Sequence, residues 1–131
     1  MDLMNKVQES GMDNLIAGLV PPAMTTGVKV RKAAAETVYP RGMVMALSAG
    51  EAGDGCVVPL GTAAAEKETL TAAYILADAV TVGTEEDAAA AAYIAGCFNR
   101  KALTAAAEYA MTAADEDDLR KYGMILKDML D

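Results

Sequence analysis

The sequence predicts a mainly β domain of the α+β kind: a small sheet or barrel-like fold with one short C-terminal helix and an extended N-terminal arm. Three observations carry that expectation. Short apolar runs are punctuated by glycine- and proline-rich turns through the first two thirds of the chain. Only one segment, near the C-terminus, carries both a helix start and a helix stop signal. Residues 1–26 differ from the remainder, being mixed and polar before an apolar stretch that ends in Pro21-Pro22.

The first section reads as an arm, residues 1–26, preceding a single domain over 27–131. Two consecutive prolines remove backbone donors and disfavour helix for the residue before each. The Leu15–Val20 run is too short and too interrupted by Gly18 for a helix. It predicts an extended segment with a sticky apolar patch.

Strands follow. Val28-Lys29-Val30-Arg31 alternates apolar and charged residues at the period of a half-exposed strand. Tyr39-Pro40-Arg41-Gly42 is a turn, and Met43–Leu47 after it is a more fully apolar strand. Three glycines between Ala49 and Gly55 mark a loop before Cys56–Leu60, a short strand that Pro59 confines to an edge or an end. Residues 62–73 combine helix-forming Ala, Glu and Lys with no clean apolar face, which suits a loop with a helical turn. Tyr74–Ala77 and Val80–Val82 are β-rich, and Gly83–Asp87 is an acidic turn.

At Ala88–Ala92 local propensity points the other way. Five alanines after three acids favour a helix, with the acids at its positive end. The final element is the clearest. Thr112 with Asp115 forms a variant capping box, Glu116 to Asp118 crowd the helix start, Arg120 and Lys121 lie near its end, and Gly123 can terminate it. Met124–Leu130 then reads as a strand returning to the core.

Composition narrows the function. At 131 residues the chain fits one modest core. Apolar residues make up 53% but aromatics only 5%, and alanine supplies much of the difference, so apolar burial per residue is low and oligomerisation is an expected source of stability. A net charge of −8 opposes contact with nucleic acid or anionic lipid. With no histidine the chain has no imidazole base, no His-based triad and none of the commonest zinc ligand. The acids at 115–118 lack calcium-loop spacing, and no phosphate-binding glycine loop occurs. Catalysis, cofactor and metal are therefore not expected. Cys56 and Cys97 are too far apart for a CxxC unit; buried free thiols are the first reading, with a disulfide left open. The Lys29, Arg31, Lys32 and Arg41 cluster could dock an acidic surface. Neither a signal-peptide pattern nor an apolar run long enough to span a bilayer is present, which points to synthesis in the cytoplasm.

Several segments, in order, carry a resemblance. They are Asp13-Asn14-Leu15-Ile16-Ala17-Gly18 followed by prolines, Tyr39-Pro40-Arg41-Gly42-Met43-Val44-Met45 ahead of Val57-Val58-Pro59-Leu60, then Ile75-Leu76-Ala77-Asp78-Ala79-Val80, residues 91–103 and residues 112–126. In order and spacing they resemble the head decoration proteins of tailed phages, the lambdoid capsid-stabilising family, over roughly residues 13–130. The chain departs from that pattern in an alanine-heavy middle and a Met-rich N-terminus.

The resemblance implies a mainly β fold with a helix, and a homotrimer seated at local threefold junctions on the outer surface of the expanded head. There it would clamp major capsid protein subunits together against the pressure of packaged DNA. It implies that the N-terminal arm orders on the capsid by strand addition, which fits an extended apolar segment. Asp13, Asn14, Leu15, Ile16, Ala17, Pro21 and Pro22 are then the expected capsid contacts. It also implies strand rather than helix at Tyr93–Phe98. The competing expectation is a small acidic protein-binding or regulatory module that uses the helix at 112–122 as its recognition surface.

Overall fold

The computed structural model describes residues 14–128. Nine strands and one α-helix follow in chain order: β1 (Ile16–Gly18), β2 (Met24–Val30), β3 (Thr37–Tyr39), β4 (Val44–Ala49), β5 (Val57–Pro59), β6 (Thr69–Leu76), β7 (Val80–Val82), β8 (Ala88–Asn99), α1 (Ala113–Tyr122) and β9 (Met124–Lys127). The expected mainly β class with a single C-terminal helix is the observed one.

Five strands close a small barrel-like ring. β2 lies beside β8, β8 beside β6, β6 beside β4, β4 beside β5, and β5 returns to β2. Most seams are antiparallel ladders. The β2–β5 seam is parallel and rests on the Val30–Val57 pair, with the Arg31 amide donating to the Val57 carbonyl at 3.0 Å. Pro59 ends β5, where its missing donor costs nothing. β3 and β7 form a separate two-stranded ribbon.

β8 holds the architecture together and overturns the helix that its alanines favour locally. Its first half pairs with β2 from Ala88 to Ala95 and with β6 at Ala92 and Tyr93. A helix here would remove one wall of the ring and leave those ladder groups of β2 and β6 without partners, a penalty larger than the modest propensity differences involved. Its second half, Gly96 to Asn99, changes partners and runs between β1 and β9. Gly96 sits at the change with φ 150°, and a Cβ there would come within 2.7 Å of the Phe98 ring and 3.4 Å of the Ala23 backbone. Only glycine fits.

Two packed clusters fill the interior. One gathers Leu15, Ile75, Tyr93, Phe98, Leu119 and Met124 among others, so it joins the ring to β1, α1 and β9. The other contains Val30, Met45, Leu76 and Val82 and sits under the β3–β7 ribbon. Tyr93 and Phe98 pack with their rings tilted by 58° and 5.1 Å between ring centroids. Both cysteines are buried free thiols.

Two sequence expectations need correction. Residues 69–73, assigned to a loop with a helical turn, belong to β6, where Ala72 and Ala73 are fully buried. Small side chains there allow close packing rather than signalling a helix. The other is the helix at Ala88–Ala92, replaced by β8. The boundary drawn after residue 26 falls inside β2, whose pairing with β8 begins at Met24.

Candidate functional site

The segment singled out for partner contact, from Asp13 to Pro22, is divided by the fold. Asp13 lies outside the described residues. Asn14 is exposed with φ 59°, a conformation that asparagine tolerates better than most residues. Leu15 is 1% exposed and belongs to the main core, its methyls at ordinary packing distance from the position a Cβ on Gly42 would occupy. Its carbonyl accepts from the Asn99 amide at 2.8 Å. Ile16 and Ala17 are half-buried in β1, which pairs Ile16 with Phe98 and Gly18 with Cys97. Gly18 allows this approach, since a Cβ there would lie 3.2 Å from the Cys97 sulfur.

Exposure begins after Gly18. Leu19 and Val20 are each 85% exposed, Pro21 is half-buried, Pro22 is exposed, and Met24 is 54% exposed. Pro22 is thus the exposed apolar residue among the expected contacts, and the large apolar side chains that face solvent, Leu19, Val20 and Met24, are not among them. The sequence alone presents Leu15–Val20 as one sticky patch. The usable signal was Gly18, which separates an anchoring half that is buried from a presenting half that is not.

A polar cluster closes one end of the ring. Arg31 reaches Asp54 through two contacts of 3.0 Å and Glu68 at 2.6 Å. Ser48 donates its hydroxyl to Glu68, and the Ala65 amide donates to the other Glu68 oxygen at 2.9 Å. The Ala65 amide, the Ser48 hydroxyl and then Arg31 hold the Glu68 carboxyl down at about 2. The Arg31 guanidinium, then the Cys56 amide, holds Asp54 at about 2. Burial pushes the Cys56 thiol up to about 11, and its Sγ lies 3.5 Å from Asp87. Every carboxylate in this cluster is occupied by donors, so the arrangement braces loops and offers no poised acid or base.

Of the basic cluster expected to dock an acidic surface, Lys29 and Lys32 are exposed, and Arg31 and Arg41 are half-buried in internal hydrogen bonds. Arg31 is engaged as described, and Arg41 donates to the Ala77 carbonyl at 2.7 Å and to the Tyr93 hydroxyl at 2.9 Å.

At the opposite end, α1 is capped as its sequence requires. Thr112 accepts from the Asp115 amide, Asp115 accepts from the Thr112 amide, and Gly123 closes the helix in the left-handed conformation. Arg100 forks onto Glu116 at 3.0 and 3.1 Å and reaches Asp128 at 2.7 Å, tying β8, α1 and the end of β9 together. Two open depressions of about 310 and 250 Å³ flank that pair. Among the described residues, no group of three or more acids or thiols is arranged to hold a metal ion, and no helix is long and apolar enough to cross a membrane.

No protein-family model matches the chain, and no curated protein matches it.

Proposed function

We propose that the chain is a structural virion protein of the tailed-phage head decoration class. In this reading it binds the outer surface of the expanded head as a homotrimer at local threefold junctions, and clamps major capsid protein subunits against the pressure of packaged DNA. One observation carries the reading. Local propensity makes Ala88–Ala92 helical, the resemblance to decoration proteins makes the following residues a strand, and β8 is a strand throughout. The strand that the resemblance implies at Tyr93–Phe98 falls within β8, which supports the reading. The exposure of Leu19, Val20 and Met24 also suits a protein that works by surface attachment.

Titration of the protein into expanded, undecorated heads of its own phage, followed by calorimetry, tests the proposal. Saturable binding with heat release is expected. No binding at saturating concentration overturns it.

A further inference from the structure

The ring is closed unequally. β2 and β8 pair from Met24 to Val30, and β4 and β6 from Val44 to Ala49. β6 and β8 share two pairs, continued by the Ala77 amide onto the Ala91 carbonyl at 3.0 Å and fastened by Arg41 on Tyr93. The β2–β5 seam has a single pair, Val30 with Val57, where the Arg31 amide reaches the Val57 carbonyl at 3.0 Å. Backbone groups alternate sides along a strand, so Gly27 and Thr25, in step with Arg31, face the same way. Among the described residues no strand pairs with them on that side. The wall is therefore open along most of β2 and closed only at one end.

Side chains supply what the backbone lacks at that end. Arg31 is the first residue beyond β2, and its guanidinium forks onto Asp54 and reaches Glu68. Asp54 lies in the loop before β5, and Glu68 immediately precedes β6. Both acids are anchored on the far side of the seam. Asp54 accepts from the Cys56 amide at 2.9 Å, and Glu68 accepts from Ser48 of β4 and from the Ala65 amide. One cation from β2 thereby holds the β4, β5 and β6 side of the ring. Across the same seam Cys56 also meets Asp87, just before β8, but at 3.5 Å through a weakly donating thiol.

We propose that the ring opens along the β2–β5 seam as a unit smaller than the whole fold, with Arg31 as its clasp. On opening, β2 stays on its ladder with β8, Val57 is uncovered, and β2 and β5 become free edges. The β4–β6 and β6–β8 ladders persist. Parts of a fold held by few backbone pairs open without the core. A charge-assisted fork is strong only while both partners are in place, so its loss releases the one pair it supports. This inference does not depend on the decoration reading.

Native-state amide hydrogen exchange of the full chain, followed by NMR at a series of low urea concentrations, tests this. The Arg31 amide is expected to be about tenfold or more less protected than the Val28 and Val30 amides, which face β8 on the same strand, and to respond less to urea. Asp54→Asn removes the charge that meets the fork, at a side chain that is 46% exposed. Arg31→Lys keeps the charge but loses the fork. Circular dichroism establishes that each variant is folded. In both, protection of the Arg31 amide should fall about fivefold or more, while Val28, Val30 and the β4–β6 ladder change by less than about twofold.

Equal protection and an equal urea response at Arg31 and Val30 would mean that the seam opens only with the whole fold, and would overturn the proposal. An Arg31 amide left unchanged by both variants removes the clasp and overturns it as well. A uniform loss of protection across all ladders in both variants also overturns it, since Arg31 would then brace the fold as a whole.

Discussion

Arg41 and Tyr93 are joined twice: the guanidinium donates to the phenol oxygen at 2.9 Å, and its central carbon lies 5.6 Å from the centroid of the same ring. The turn before β4 is thereby fastened to the middle of β8. Replacing Tyr93 with Phe keeps the ring and removes the acceptor. A loss of about 1 kcal/mol is expected, the usual net value of one hydrogen bond. Replacement with Leu removes the tilted aromatic contact with Phe98 as well and should cost more. Urea titration monitored by circular dichroism measures both, with the slope against urea unchanged if only native stability has moved.

Acid should unfold the protein through the Arg31 cluster. The folded carboxyls of Glu68 and Asp54 sit at about 2, against ordinary values of 4.5 and 3.8. Because the folded values are depressed, their stabilisation is fully present above the unfolded values and is lost as pH falls from about 4.5 toward 2. In Glu68→Gln, stability at neutral pH should be lower and its decline over that window shallower. Chemical unfolding at a series of pH values checks this, and an unchanged slope would assign the acid response to other groups.

Gly96→Ala should be destabilising, by about 1–3 kcal/mol on the scale of overpacking in a filled core. The new methyl meets the Phe98 ring in a backbone conformation that L-residues rarely adopt. Gly27→Ala provides the contrast, because nothing lies within 4 Å of its Cβ position. That variant should be neutral or slightly stabilising, since alanine loses less backbone entropy in a strand. Paired thermal melts distinguish the two sites.

Thr112→Ala removes the side-chain acceptor of the Asp115 amide. About 1 kcal/mol of stability should be lost, with α1 loosening first. Amide exchange over residues 113–116 should accelerate more than exchange in β8, and uniform acceleration would show that the cap acts on the whole fold.

Cys56 should be inert toward thiol reagents while the protein is folded. Its thiol is buried and held up at about 11, leaving little thiolate at pH 8. Labelling that begins only with denaturant is the expected outcome, and prompt labelling of native protein would contradict it.

The helix at Ala113–Tyr122 was readable because each determinant is local: cap, box, charge bias and terminal glycine lie within twelve residues. Strand β8 was not readable from its own residues, because what makes it a strand is two ladders supplied from as far away as Met24 and Leu76. Residues 69–73 failed for the same reason, alanine being equally suited to a helix and to tight sheet packing. At the candidate site the sequence identified the apolar run but not its division into a buried Leu15 and exposed Leu19. That division depends on Gly42 and Asn99, which approach only in the folded chain.

The position of β8 also sets a timetable for synthesis. The ring needs β8 between β2 and β6, so no closed barrel can exist until residues 88–99 have left the ribosome. Until then β2, β4, β5 and β6 carry open edges and the apolar faces they will later bury, the condition in which nascent chains aggregate. Ladders joining residues some sixty positions apart also fold slowly, because the loop between them must be closed before any pairing repays its cost. The alanine-rich strand that looks least remarkable in the chain is therefore the one whose arrival commits the rest to fold.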